Sequence, residues 1–439
     1  METHTKDKLT LIAKKAREQP ALKFISLMHL LNKEYLKDCY HLLKRGKAAG
    51  IDGRTLESYT KEEIDGKIEE TIGLMKRKRY TPQPVRRVEL AKENGKKRLL
   101  GIPTVMDKII QLGMTRILEA IYEPTFLPLS YGYRPGRGAH EAIKAINHMI
   151  MGKKVNWIVE VDIKEFFDHI DHSWMMRCLQ ERIADPNFLQ CINKFLKAGV
   201  LRNGVSLPTT EGTPQGGIIS PILANIYLHY ALDLWFEGQE KRKMKGYAQL
   251  IRYADDFLFG VQHNTEAKEI RNNLTARLGK FGLLVAEEKT QVLEFGRFAQ
   301  QHNTQRGKKP DTFEFLGFTH YCTKTRDGRF MLGVRTSKKR MNRALVAMNT
   351  WVKSIRNLMP TEAIWEQLKV KLTGHYNYYG IRGNFMALNR FYGKTKRLMF
   401  KWMNRRSRKK SWNWQGFDTY LKTYPLPTPK LTYAIYNTW

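Results

Sequence analysis

From about Leu9 to Lys47 apolar residues recur at helical spacing, and the run ends in Ala48-Ala49-Gly50-Ile51-Asp52-Gly53, where two glycines and an aspartate mark a turn. This predicts a helical N-terminal extension over residues 1–60. The period then changes. After Pro82 and Pro84, VRRVEL (85–90) and KRLL (97–100) flank Glu93-Asn94-Gly95, which predicts a basic β-hairpin with a polar tip. From Ile102 to about Gly333 strand-like and helix-like segments alternate without a repeat, so residues 61–334 read as one large body of mixed α and β structure. Within it QHNTQRGKKP (301–310) is polar and lacks apolar periodicity, and reads as a loop between strands. Residues 216–232 carry no formal charge and are the one stretch resembling a membrane span. Pro221, Asn225 and His229 inside it, and Asp233 just after it, make it a helix buried in a large core.

Composition sharpens this picture at the C-terminal end. Residues 335–439 hold 22 Lys/Arg against three Asp/Glu, interleaved with Trp351, Trp365, Tyr376, Tyr378, Tyr379, Trp402, Trp412 and Trp414, and predict a separate basic, aromatic helical domain. Pro425, Pro427 and Pro429 end any helix there. Over the whole chain of 439 residues, 76 Lys+Arg against 42 Asp+Glu give a formal charge of +34, far more than solubility requires, and this implies a polyanionic partner, nucleic acid before a membrane. The N-terminus, METHTKDKLT, lacks the apolar core of a signal peptide. Cys39, Cys178, Cys191 and Cys322 form no CxxC pair, which argues against a zinc site or disulfide framework and suits a reducing cytosol.

Two segments carry the chemistry. In LIRYADDFLFGV (250–261) two apolar strand-like runs meet at adjacent carboxylates, so a hairpin presents Asp255 and Asp256 at its tip. In WIVEVDIKEFFD (157–168) a β-prone run ends in Asp162, an ionised group that is costly in an apolar strand unless a cation or donor compensates it. A divalent metal shared with the distant aspartate pair would supply that compensation. Phosphoryl transfer from a nucleoside triphosphate uses two such ions, and hard carboxylate oxygens suit Mg2+.

YADD (253–256), VDIKEFFD (161–168) and GTPQGGIISP (212–221) resemble core motifs of the group II intron reverse transcriptases. RLLGIPT (98–104), SYGYRPGR (130–137), Lys289-Thr290 and FLGF (315–318) extend the resemblance in family order over roughly residues 80–320, and GIDG (50–53) resembles the extra N-terminal motif. The resemblance implies an α+β right-hand fold of fingers and palm followed by a helical thumb, or maturase (X) domain, to which GHYNYYG (374–380) is similar. It implies that Asp162, Asp255 and Asp256 bind two Mg2+ ions, with Mn2+ as a substitute. It also implies that Phe167 is the gate excluding a 2′-OH, with one of Phe166 and Phe167 in the core, and that Lys92, Arg98, Ile163 and Gln215 meet the nucleotide. Lys289 and Tyr253 support the site, although the family often has Asn where this chain has Ala286.

His169 and His172 have metal-like spacing but no completing ligands, and Asp168 and Asp171 read as helix-start or surface acids. The expected activity is RNA-directed DNA synthesis, with maturase activity in splicing and mobility. The expected partners are intron RNA, an RNA template with a DNA or RNA primer, dNTPs and target DNA, in a bacterial cytoplasm and without a membrane. Many relatives carry a C-terminal nuclease with Cys pairs and His residues, and none is read here. The expectation is that the protein does not cut a second DNA strand, which metal-dependent nicking by pure protein would overturn. A non-enzymatic RNA-binding splicing factor and a domesticated reverse transcriptase in phage defence or DNA repair are the competing readings. The intact acidic triad argues against the first, and absence of a flanking ribozyme would favour the second. Nothing in the sequence specifies an oligomeric state.

Overall fold

The computed structural model describes residues 2–91, 97–202, 205–207, 212, 216–406 and 412–435. In chain order they form α1 (Glu2–Glu18), α2 (Lys33–Leu42), α3 (Lys61–Lys76), β1 (Val85–Ala91), β2 (Lys97–Ile102), α4 (Val105–Tyr122), α5 (Ala139–Gly152), β3 (Trp157–Val161), α6 (His172–Gln180) and α7 (Pro186–Lys197). There follow β4 (Val200–Arg202), β5 (Val205–Leu207), α8 (Ser220–Leu228), α9 (Lys241–Lys243), β6 (Ala248–Tyr253), β7 (Asp256–Val261), α10 (Asn264–Lys280), β8 (Gln291–Glu294), α11 (Ala299–Gln305), β9 (Thr312–Phe315), β10 (Phe318–Lys324) and β11 (Phe330–Thr336). Helices α12 (Lys338–Ile355), α13 (Thr361–Tyr379), α14 (Phe385–Met403) and α15 (Trp414–Thr423) complete the chain.

Local chemistry explains many of the boundaries. Asn32 caps α2 by accepting from the Tyr35 amide, and Thr60 with Glu63 closes a capping box on α3. β1 and β2 pair antiparallel as the alternation predicts, with Leu90 opposite Arg98, and the hairpin tip lies outside the described residues. The uncharged run from residue 216 does form a buried helix, α8, which continues into two π-helical stretches, His229–Asp233 and Phe236–Glu240. Among the described residues no helix is long and apolar enough to cross a membrane. The polar segment after residue 298 departs from its reading as a loop. Ala299–Gln305 is helical, with Ala299 and Asn303 turned inward while Gln301, His302 and Gln305 face solvent, so a short helix needs no apolar stripe here.

Three sheets organise the body. β2-β1-β4-β5 forms one, with β1 parallel to β4. β6-β7-β3-β8 forms a second, antiparallel throughout, and β11-β10-β9 a third. One face of the second sheet shares a large core with α2, α3, α4, α6, α7, α8 and α10. Its other face packs with α5 and the third sheet in a second core. Helices α12–α15 enclose a third core around Trp365, Leu368 and Phe391. Several contacts join that helical unit to the sheets, among them Tyr378, which donates its hydroxyl to the Leu316 carbonyl at 2.9 Å. At the exit from β11, Asn384 accepts from the Thr336 amide and donates to its hydroxyl, both at 2.8 Å. After α15 the chain returns, Tyr433 stacks on His140 with ring centroids 3.7 Å apart, and Ile435 is buried in the second core.

Candidate active site

β3 lies between β7 and β8 in the second sheet, with Val161 opposite Phe257, so the chain leaves β3 at Asp162 beside the β6–β7 turn that carries Asp255 and Asp256. That turn is tight, with Tyr253 paired to Asp256 and Ala254 at φ 56°, in the left-handed region. It rests on the segment before α5. A Cβ on Gly132 would sit 2.4 Å from the Ala254 amide nitrogen, so only glycine fits there. Tyr253 is half-buried and packs at the edge of the second core.

Asp162 and Asp256 line a cavity of about 220 Å³ together with Glu160, Lys289, Glu314, Lys339 and Arg340. Asp256 is itself exposed at the mouth of this cavity. Enclosure by protein, then the negative charges of Asp255 and Asp162, nevertheless push its carboxyl up to about 7, while Arg340 pulls it down. Lys289 Nζ donates to Asp162 Oδ2 at 2.5 Å, and this bond, more than any other influence, raises the ammonium above its usual range. Ala286, where the family often has Asn, donates its amide to the Asp162 carbonyl at 2.8 Å, so the backbone at this position holds the end of β3. A larger cavity of about 810 Å³ lies between α2 and α3 and includes Glu34 and Glu69, and one of about 460 Å³ lies against β2, the start of α4 and Gly216 and is lined by no carboxylate.

The rest of the predicted site is distributed around this cleft. Phe166 is core, and Phe167 is half-buried against it, edge to face at 5.2 Å. Ile163 is buried and bridges Val285. Lys92 and Gln215 lie outside the described residues, and Arg98 is described only through its place in β2. Gly212 and Gly216, the nearest described residues on either side of Gln215, are well anchored. Gly212 donates to the Ile170 carbonyl at 2.8 Å, and Gly216, at φ +110°, turns so closely over β2 that a Cβ would meet the Gly101 carbonyl at 2.6 Å. His172, whose spacing with His169 mimics a metal site, is buried with Nε2 2.6 Å from the Gly212 carbonyl, so it holds the loop. Asp171 caps α6 by accepting from the Trp174 amide.

Sequence reasoning missed the second layer. Glu160, raised by burial and by Glu314 and Asp162, enlarges the acidic character of the cleft. Arg252 lies wholly buried behind the aspartate turn, bound to Asp233. The signal was present, because a charge inside the apolar run of β6 demands a partner on the same grounds as Asp162.

These geometric features meet what similar proteins have in common. Residues 90–320 match the Reverse transcriptase (RNA-dependent DNA polymerase) family. The chain is also 31% identical over 449 residues to the group II intron-encoded protein LtrA of Lactococcus lactis, covering 83% of this chain and 71% of that protein. It belongs to the group II intron-encoded reverse transcriptases. This reverse transcriptase is further similar to protein YkfC of Escherichia coli, 30% identical over 63% of this chain and 81% of YkfC. A shorter match, 29% over 30% of this chain and 16% of the relative, is to nuclear intron maturase 4, mitochondrial, of Arabidopsis thaliana. The reverse transcriptase domain carries the right-hand polymerase fold, here a mixture of helices and mainly antiparallel sheets. The enzyme is an RNA-directed DNA polymerase of the intron-encoded type, and neither competing reading is favoured.

The family uses divalent metal ions, and the chemistry of the cleft fits them. The donors are hard carboxylate oxygens, and the Asp256 carboxyl is pushed upward first by enclosure in the protein and then by the negative charges of Asp255 and Asp162, which a cation would offset. Among the described residues no three acidic, His or Cys side chains are gathered closely enough to hold an ion. A lysine ammonium sits on Asp162 instead.

Proposed function

We propose that the chain extends a DNA or RNA primer on an RNA template, using Asp162, Asp255 and Asp256 as the ligands of two Mg2+ ions, for which Mn2+ can substitute. The observation that carries this reading is the convergence of β3 and the β6–β7 turn, which brings Asp162 and Asp256 to one cavity with Asp255 adjacent in the turn. When bound, the metal pair activates the primer 3′-OH and steadies the leaving pyrophosphate. No protein nucleophile is required. Asp162 would have to give up its ion pair with Lys289 to serve as a ligand, which would leave the ammonium at the cleft. Phe167, held edge to face by the core residue Phe166, closes the space beside the sugar and excludes a 2′-OH. Ile163, Arg98, Lys92 and Gln215 line the nucleotide, with the glycines beside Gln215 allowing close backbone approach.

In this reading residues 61–334 are fingers and palm, 335–439 the thumb or maturase domain and 1–60 an N-terminal extension. The basic thumb and extension track the template–primer and the intron RNA, giving maturase activity in splicing and mobility, with target DNA as a later substrate. The protein works in the cytoplasm of a bacterium.

Primer extension on an RNA template with Mg2+ and dNTPs, comparing wild type with Asp255→Asn and with RNA binding measured in parallel, tests the reading. cDNA from wild type, and none from a variant that still binds RNA, is the expected result. Tight RNA binding without extension by either protein would replace it with a maturase-only role. Ribonucleotides supplied to Phe167→Val test the gate. Incorporation should rise about tenfold to a hundredfold, and an unchanged ratio removes Phe167 from that role.

A further inference from the structure

We propose that Arg252 is a positioning residue that fixes the catalytic turn to the helix beginning at the nucleotide loop, so that the placement of Asp255 and Asp256 depends on the fork of its guanidinium. The inference rests on the polymerase reading and concerns residues that lie behind the carboxylates.

Arg252, Asp233 and Asn225 are each fully buried. Arg252 Nε donates to Asp233 Oδ1 at 2.8 Å and Nη2 to Oδ2 at 2.6 Å, a bidentate pair. Nη1 donates to Asn225 Oδ1 at 2.9 Å and to the Ala254 carbonyl at 3.2 Å. Ala254 is the left-handed residue immediately before Asp255, so this last bond reaches the bend of the turn itself. Asn225 in turn donates to the Gly132 carbonyl at 2.8 Å, and Gly132 is the residue pressed against the Ala254 amide. The Arg252 backbone completes the mount by donating to the Leu129 carbonyl and accepting from the Tyr131 amide, both at 2.9 Å.

Asn225 and Asp233 come from one continuous helical run that starts just beyond the 212–219 loop, Asn225 in α8 and Asp233 at the end of its π-helical extension. Wide turns of this kind occur often at functional sites, and here the extension brings Asp233 under Arg252. One buried side chain therefore ties together the nucleotide-loop helix, the 129–132 segment and the aspartate turn. A lysine at 252 would keep the charge toward Asp233 but cannot hold the carboxylate, Asn225 and the Ala254 carbonyl at once.

The test uses the full chain as Arg252→Lys, Asp233→Asn and Asn225→Ser, with Ile192→Ala in the buried face of α7 as a destabilised control away from the cleft. Mn2+ binding is followed by electron paramagnetic resonance, with thermal midpoints and with kcat and dNTP KM in primer extension. Arg252→Lys is expected to stay folded like the control, to bind Mn2+ about tenfold to a hundredfold more weakly, and to lose a similar factor in kcat. Its dNTP KM should move by less than about threefold. Asn225→Ser leaves the ion pair whole and gives the same signature, weaker, should either charge variant fail to fold. Mn2+ affinity and kcat matching those of Ile192→Ala in all folded variants would overturn the proposal while leaving the polymerase reading intact. Absence of extension by wild type would remove the polymerase reading, and the Mn2+ comparison would still decide whether Arg252 positions the turn.

Discussion

His320 sits in the middle of β10, wholly buried, its ring face to face with Phe313 at 4.6 Å and directly opposite it in register. Its two nitrogens face the Phe313 and Phe318 backbone without reaching hydrogen-bond geometry. Burial pulls the imidazole down to about 3. As pH falls below the ordinary histidine value, the unfolded chain takes up a proton that the folded chain refuses, so this residue makes stability fall between about pH 6.5 and 3. The cost reaches about 2 kcal/mol at pH 5. His320→Phe keeps the stack and should gain stability relative to wild type as pH drops from 8 to 5, read as the difference between urea midpoints. A constant difference across that range would show that the buried ring is not the titrating group. Legibility at this scale followed the local sequence. Asp162, Asp255 and Asp256 stood out as charges placed at the ends of apolar strands, which alone could be solvated turns, and it was the resemblance of their flanking motifs that joined them into one candidate triad. Arg252 could not be picked out, because the groups that explain it, Asn225 and Asp233, lie 27 and 19 residues earlier on another element.

Elements were readable where one period dominates. The alternation in 85–102 and 250–261 corresponds to β1, β2, β6 and β7, and Thr423 ends α15 two residues before the first of the terminal prolines. Two kinds were hidden. The π-helical turns after α8 are set by what Asp233 must reach, and α11 is held by two inward residues that a polarity profile averages away. Helices α12–α15 carry a core of their own, and Trp365, 2% exposed, fills its centre and donates to the Tyr424 carbonyl at 2.9 Å. Trp365→Ala should cost about 3–5 kcal/mol within that unit. Amide exchange should therefore quicken across α12–α15 while β3, β6 and β7 keep their protection. Equal loss in the sheet would mean that the helical unit and the sheets unfold as one.

For the whole molecule, the charge of +34 makes RNA affinity a matter of counterion release. Binding should weaken roughly a thousandfold between about 50 and 200 mM salt if six or more phosphates are contacted. A filter-binding series giving a flat response would contradict an electrostatic grip. Family order of the motifs made the overall right-hand architecture legible, while the return of the chain after α15 to the second core was not, because Tyr433 and Ile435 look like an ordinary apolar tail. That return has a mechanical consequence. Asn384 holds Thr336, Tyr378 reaches Leu316 and His140, and Ile381 and Ile435 are both buried in the second core, so the helical unit is fastened to the sheets at several separate places. A body held at several points cannot swivel about any one of them. A load applied to α12–α15 is therefore passed into the second core instead of being taken up at a joint.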